Sequence, residues 1–346
     1  MKTKAAILYE LNRPLRIEDV EIPSLKCGQV LVKILCTGIC GAQYNEMIGL
    51  KGPDRFLPHM LGHEASAIVQ DIGEGVTKVK PGDYVVLSWV KGHGLDGVNT
   101  QFKSGSTLIN AGAVTTFSEY SVVSENRITP ISSKIPADIA AIMGCAIITG
   151  CGIVHNTIQL QRKDSIIVFG AGGIGLSVIL GARQAGCSNI IAVDLVDKKL
   201  ELALTLGATF VINPKRDDLK KKLSAILPDG VDYAVDASGA KESMETAFDV
   251  IKTKGTCVIA GNLSKDKKIE IHPFELIKGK KIIGTWGGES SPDRDIPKYE
   301  KGYLSGELPM GQLITHRYRL EDINEAFAVL KNGDAGRIVL AVNESL

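Results

Sequence analysis

The sequence predicts a two-domain α/β protein: a mostly-β half, then a doubly wound parallel sheet flanked by helices. Three observations carry this. The chain has 346 residues, and at roughly 100–200 residues per domain that length suggests about two domains. Short β-type segments broken by turn residues fill the stretch 4–125. Near residue 150 the rhythm changes to apolar strands alternating with helices of about ten residues, the pattern of parallel βαβ units.

In the first half, Lys4–Tyr9, Gln29–Cys36, Ala65–Ile72 and Tyr84–Leu87 read as strands, punctuated by Pro23, Gly28, Gly73 and Pro81-Gly82-Asp83. In the second half, strands are expected over Ser165–Phe169, Asn189–Val193, Phe210–Ile212, Tyr233–Asp236 and Thr256–Ala260. Helices separate them over Gly175–Ala185, Asp197–Leu206, Asp217–Ile226 and Ser243–Ile251. Lys281–Trp286 reads as an edge strand of the same sheet. Beyond about residue 288 the alternation stops, and a helix over Leu320–Lys331 and a strand over Arg337–Val342 are expected. There is no internal repeat, and the lysines at 220–222 read as a solvated helix face.

Composition narrows the function. The formal net charge is +1, from 40 Lys and Arg against 39 Asp and Glu, which argues against a nucleic-acid binder working through basic excess. Hydrophobic residues make up 44%, enough for real cores and against disorder. The seven cysteines, at 27, 36, 40, 145, 151, 187 and 257, form no CxxC pair. That is no disulfide framework; it fits a reducing, cytoplasmic setting in which free thiols pack in cores or bind metal. The apolar run Ala5–Tyr9 is too short for a signal-peptide core. Residues 139–161 and 165–182 carry no charge. The second is broken by glycines into strand, turn and helix, so no membrane association is expected.

The glycines at that break are ordered. Gly170-Ala171-Gly172-Gly173-Ile174-Gly175 follows a strand, opens a helix, and is followed by Asp194 at the end of the next strand, 19 residues beyond Gly175. This is the complete dinucleotide fingerprint. Gly170 permits the tight turn, Gly172 lets the backbone approach a pyrophosphate, and Gly175 allows helix and strand to pack closely. The helix N-terminus then offers N–H groups and partial positive charge to phosphate. Asp194 is suited to bonding the adenosine ribose and repelling a 2′-phosphate, which favours NAD over NADP. Lys198 and Lys199 soften that repulsion.

Cys40, His63, Glu64 and Cys145 are candidate zinc ligands. Two thiolates and an imidazole match a catalytic site with an open fourth position. Spacing alone leaves the set open, since seven cysteines and six histidines allow many triples. The local contexts are Gly38-Ile39-Cys40-Gly41, Leu61-Gly62-His63-Glu64 and Gly144-Cys145.

With these segments the chain resembles the zinc-containing, medium-chain alcohol dehydrogenases over nearly its whole length. Gly62-His63-Glu64-Ala65, Gly73-Glu74-Gly75-Val76, Pro81-Gly82-Asp83, Thr116-Phe117-Ser118-Glu119-Tyr120 and Gly144-Cys145 follow in that family's order. The resemblance implies a GroES-like mostly-β catalytic domain over 1–148 and 287–346, and a Rossmann NAD-binding domain over 149–286, with the active cleft between them. It implies a homodimer or homotetramer that interconverts a small alcohol and its carbonyl with NAD and one catalytic zinc. Cys40, His63 and Cys145 would be the zinc ligands, and Glu64 an acid able to ligate transiently. Thr149 would lie against the nicotinamide, Asp194 and Lys199 would hold the ribose, and Arg337 would meet the pyrophosphate. Trp89 would form an aromatic wall of the substrate pocket.

Three departures from the family pattern stand out. The position of a proton-relay Ser or Thr holds Ala42. The next, usually Asp, holds Gln43, expected to accept the same hydrogen bond from the zinc histidine without negative charge. Residues 88–115, where many members carry a four-cysteine structural zinc lobe, contain no cysteine, so no structural zinc is expected. The remaining cysteines read as core or near-core thiols, and His59, His93, His155, His272 and His316 as surface or structural. Three rivals are a polyol or sugar-type dehydrogenase of the same superfamily, a zinc-free NAD(P)H reductase, and a nucleotide-binding protein without turnover.

Overall fold

The computed structural model describes residues 1–344. Its longest strand, Gln29–Ile39, organises the first half. Val30, Val32 and Ile34 alternate inward and are fully buried, and the strand pairs antiparallel with Glu64–Ile72, Tyr120–Ser124 and Arg337–Ala341. Tyr84–Ser88 and Ile128–Pro130 extend this sheet on one side, and Ile314–Arg319 on the other. Beside it a closed barrel is formed by Lys2–Leu8, Arg16–Glu21, Thr100–Ser104, Thr107–Gly112 and His59–Met60.

Register decides what gathers at one end of the sheet. Ile39 pairs with Ile338, Thr37 with Ala65, and Glu64 with Ser88. The residues just past these pairs are Cys40, Arg337, the His63–Glu64 dipeptide and Trp89, so four distant segments deliver side chains to one place. Gly38 is required there: a Cβ on it would run into the Glu64 carboxylate.

In the second half six parallel strands run in the order Phe210–Ile212, Asn189–Val193, Ser165–Phe169, Val231–Asp236, Ile251–Ile259, Lys281–Gly284. Numbered within the domain this is 3-2-1-4-5-6, the doubly wound order that places a ligand crevice at the carboxyl end of the first strand. Helices Gly173–Gln184, Asp197–Leu206, Leu219–Ile226 and Lys241–Asp249 connect the strands.

A 21-residue helical run, Ala137–Thr157, links the two sheets; it is apolar enough to cross a membrane, but its most apolar stretch is 89% buried inside the protein. It is a core helix. Two turns of it, Met143–Ile147 and Ile153–Thr157, are π-helical. The helix lies directly against strand Tyr84–Ser88, where a Cβ on Gly144 would meet the Leu87 carbonyl.

Some elements differ from expectation. Sequence patterning misses helix Pro292–Leu304, because Pro297 lies inside it and charged residues crowd its first turns. It also misses strand Ile314–Arg319, whose only buried residue is its first. Cys27, expected near a core, is exposed, while His59 is buried.

The cysteine-free stretch after Ser88 is irregular over Trp89–Asn99 and then forms the barrel hairpin. Carboxylates hold the irregular part. Glu125 accepts backbone N–H groups from Thr77 (2.7 Å), Lys78 (2.7 Å) and Leu95 (2.6 Å), and Asp293 accepts from His93 (2.6 Å). Burial alone would raise the Glu125 pKa, but these donors and the Lys78 charge outweigh it and hold the carboxyl below its usual range. A depressed folded-state pKa stabilises the fold above the unfolded value, near 4.3 for Glu, and that contribution disappears as pH falls through the folded value. Glu125→Gln is therefore expected to lower unfolding stability by about 2 kcal/mol at pH 7. Urea titrations of both proteins should show the difference shrinking steadily below about pH 4.

Candidate active site

Cys40, His63 and Cys145 bring one ligand atom each to within 4.8 Å of one another. Cys40 immediately follows its strand and caps helix Gly41–Met47. His63 precedes strand Glu64–Ile72, and Cys145 sits in the π-helical turn Met143–Ile147. Ser88 fastens that turn by donating to the Gly144 carbonyl at 2.7 Å. His63 Nε2 lies 3.2 Å from Cys145 Sγ.

The two sulfurs share a crowded, buried site. The Cys145 thiol favours the Cys40 thiolate by hydrogen bonding, and His63 and the Arg337 charge assist, so Cys40 is held well below the usual thiol range. Cys145 is pushed well above it by the Cys40 thiolate and by burial. Two sulfurs sharing one proton beside an imidazole are a donor set that a divalent cation satisfies by displacing that proton. By contrast, burial pushes Cys36, Cys151 and Cys257 up to about 12, which suits inert core thiols.

Glu64 is fully buried and forms a direct ion pair with Arg337, itself only 4% exposed. Arg337 also borders Gly173, 3.0 Å from a Cβ added there. It therefore stands between the Cys–His–Cys cluster and the glycine loop.

A cavity of about 360 Å³ runs along that loop, lined by Cys40, Ala42, Gly172, Ile174, Asp194 and Lys199 among others. The glycines behave as their spacing predicts. Gly170 has φ +92°. A Cβ on Gly175 would collide with the Gly170 carbonyl, whereas one on Gly172 would meet no protein atom within 4 Å. The space in front of Gly172 is a cradle at the N-terminus of helix Gly173–Gln184. Asp194 accepts from Ala171 N–H (2.7 Å) and Val196 N–H (3.0 Å), which orients its carboxylate at the cavity wall. Thr149, one turn beyond Cys145, is buried, and its Oγ1 has no partner. These features fit a bound dinucleotide.

Several residues at the site were not read from the sequence. Asp236, at the carboxyl end of its strand, accepts from Ser238 Oγ–H (2.6 Å) and Gly239 N–H (3.1 Å) and so positions Ser238, which lines the cavity. Its position after an apolar parallel strand was the available signal. Trp286 is 75% exposed and packs edge-on against Trp89 at 5.0 Å between centroids. Trp89 in turn lies 6.4 Å from the His63 ring. Nothing local in the sequence marks Trp286, because a loop with three successive left-handed residues, Gly287, Gly288 and Glu289, brings it there. Gln43 departs from expectation. Its Oε1 accepts from Cys40 N–H at 2.8 Å instead of from His63, because the first turn of helix Gly41–Met47 puts that amide closest.

The family model for "Alcohol dehydrogenase GroES-like domain" matches residues 26–133, and that for "Zinc-binding dehydrogenase" matches 173–301. The chain is 34% identical to an S-(hydroxymethyl)glutathione dehydrogenase of Synechocystis sp., covering 98% of this chain and all of that protein. It is 34% identical to an alcohol dehydrogenase class-3 of Oryza sativa subsp. japonica, over 99% of this chain and 97% of the other. Among solved structures it superimposes on an alcohol dehydrogenase zinc-binding domain protein from Burkholderia ambifaria with a TM-score of 0.91 at 29% identity, covering 99% of each chain. Benzyl alcohol dehydrogenase from Acinetobacter calcoaceticus gives a TM-score of 0.90 at 29% identity and the same coverage. With its GroES-like and nucleotide-binding halves joined at a Cys–His–Cys cluster, the chain belongs to the zinc-containing medium-chain alcohol dehydrogenase family.

Proposed function

We propose that the protein is an NAD-dependent alcohol dehydrogenase with one catalytic zinc per chain and no structural zinc. The observation that carries this is the Cys40–His63–Cys145 cluster, whose Cys40 lines the cavity that also holds the glycine loop and Asp194. When bound, zinc supplies Lewis acidity toward the substrate oxygen and NAD accepts the hydride. Cys40, His63 and Cys145 hold the metal, and the Arg337 ion pair keeps Glu64 as a nearby reserve ligand. The backbone of Gly172–Gly175 and the Arg337 guanidinium receive the pyrophosphate. Asp194 and Lys199 hold the ribose, and Thr149 Oγ1 awaits the nicotinamide. Trp89 walls the reacting end, with Trp286 packed edge-on against it.

The catalytic unit comprises 1–148 and 287–346, and the nucleotide unit 149–286. The border at 148/149 lies inside the helical run Ala137–Thr157, so the two halves share a helix instead of a linker. A second copy pairing along the edge strand Lys281–Gly284 is supported by that strand's single neighbour and by exposed Phe274 and Ile277 close by in sequence. The seven free cysteines support a cytoplasmic setting.

Metal analysis of zinc-loaded protein should give one zinc per chain. Cys145→Ala should bring this to near zero and abolish turnover, while the circular-dichroism melt stays close to wild type. Two zincs per chain would rule out the single-site assignment.

Cofactor choice is tested at Asp194. Wild type should be more efficient with NAD than NADP, and Asp194→Gly should narrow the ratio at least tenfold by removing the carboxylate that repels a 2′-phosphate. Equal wild-type efficiency with both cofactors counts against the role given to Asp194.

Ala42 lines the cavity beside Cys40 without a hydroxyl to carry the alcohol proton outward. Ala42→Ser should raise turnover on simple alcohols by up to about 10²-fold, the low end of acid–base assistance. An unchanged rate and pH profile, with hydride transfer shown to limit by a deuterium isotope effect, would remove the relay argument.

A further inference from the structure

Three side chains outside the Cys–His–Cys cluster also converge. Glu46, Asp54 and His59 each bring one ligand atom to within 4.8 Å of the others. They come from three segments. Glu46 lies in helix Gly41–Met47, Asp54 in the loop that follows it, and His59 in the barrel strand His59–Met60.

Outer partners fix which atoms face inward. His59 is 6% exposed, and its Nδ1 lies 2.9 Å from the Met60 carbonyl. A carbonyl only accepts, so Nδ1 carries a hydrogen and Nε2 is the atom left for the cluster. That Nε2 stands 2.8 Å from Asp54 Oδ2 and 3.9 Å from Glu46 Oε1. Asp54 Oδ1 accepts from Phe56 N–H at 2.8 Å, and Glu46 Oε2 accepts from Lys51 Nζ at 2.9 Å. Each of the three is thus oriented by a contact on its far side, the arrangement that pre-sets metal ligands.

The inward atoms of neutral His59 and the two carboxylates are three acceptors facing one another. A proton on Nε2 serves Asp54 alone, because Glu46 Oε1 is beyond hydrogen-bond range. A cation serves all three. Donors bound at about 2.0–2.2 Å stand roughly 3–4 Å apart, close to the two separations from Nε2. Glu46 and His59 also line a cavity of about 530 Å³, walled in part by the barrel residues Gln101 and Asn110, with room for water on the cation. Gln43, one turn before Glu46, lines the same cavity; it is 1% exposed, and its Nε2 has no partner. A water on the cation gives that buried N–H an oxygen to donate to.

The donor set decides the ion. Two carboxylates, one imidazole and water, without sulfur, suit a manganese-type cation, whereas thiolates select zinc.

We propose that Glu46, Asp54 and His59 form a second divalent-cation site, which takes Mn²⁺ and clamps the loop containing Asp54 between the helix and the barrel. It shares no residue with the Cys40–His63–Cys145 cluster. Lacking thiolates, it holds zinc less firmly than that cluster, so zinc retained through desalting stays at one per chain.

The test titrates zinc-loaded, desalted enzyme with Mn²⁺ and follows free Mn²⁺ by its electron paramagnetic resonance signal. One Mn²⁺ per chain should bind with a sub-millimolar Kd, and Tm should rise with Mn²⁺ concentration. Glu46→Gln and, separately, Asp54→Asn keep the shape of each side chain and remove its charge. Each should weaken Mn²⁺ binding at least about tenfold and remove most of the Tm rise, with zinc still at one per chain. Absence of sub-millimolar binding overturns the proposal, and so does unchanged affinity in both variants. Release of zinc as Mn²⁺ binds also overturns it, because the ion would then occupy the cysteine cluster.

Discussion

Everything at the active site depends on the register of strand Gln29–Ile39 against its neighbours. Cys40, His63, Glu64, Trp89 and Arg337 come from segments up to 297 residues apart, yet each lies at or just beyond the end of a paired strand. A slip of one residue would turn every side chain of a strand to the opposite face. The buried alternation of Val30, Val32 and Ile34 prevents that slip, since it would bring polar Lys33 and the outward-facing residues into the core. The hydrophobic pattern of one strand thus fixes the spacing of cysteine, histidine and charged groups it does not itself contain.

The same end of the sheet concentrates charge. Glu64 and Arg337 are both out of water, and such a pair gains little net stability over an apolar replacement, although losing one partner leaves an uncompensated buried charge. Its position gives it a different importance. Arg337 borders the glycine loop on one side and influences the Cys40 thiolate on the other, so the glycine loop and the Cys–His–Cys cluster share one cation.

The cysteine-free segment after Ser88 is held in place by carboxylates. Glu125 and Asp293 gather the backbone of Thr77, Lys78, His93 and Leu95, and the following hairpin closes the barrel. Charge-assisted hydrogen bonds to backbone N–H groups are strong enough to order a short segment without a metal.

The order of strands and helices in the nucleotide half was legible, although strand Ile251–Ile259 begins five residues before the patterning places it, inside the expected helix Ser243–Ile251. Ser165–Phe169, Asn189–Val193 and Asp197–Leu206 have the boundaries their patterning predicts, and the tasks of Gly170 and Gly175 follow from local backbone geometry. Strand and helix periodicity, turn glycines and a strand-end acid are short-range signals, so one sequence suffices to read them. Helix Pro292–Leu304, the approach of Trp286 to Trp89, the turn of Gln43 toward Cys40 and the burial of His59 were not legible. By itself the sequence determined the two-part α/β architecture, the dinucleotide loop and the residue types available to a metal. Only the tertiary structure decided which of them meet, because strand register and loop closure are set by packing between segments that carry no mark of one another in the chain.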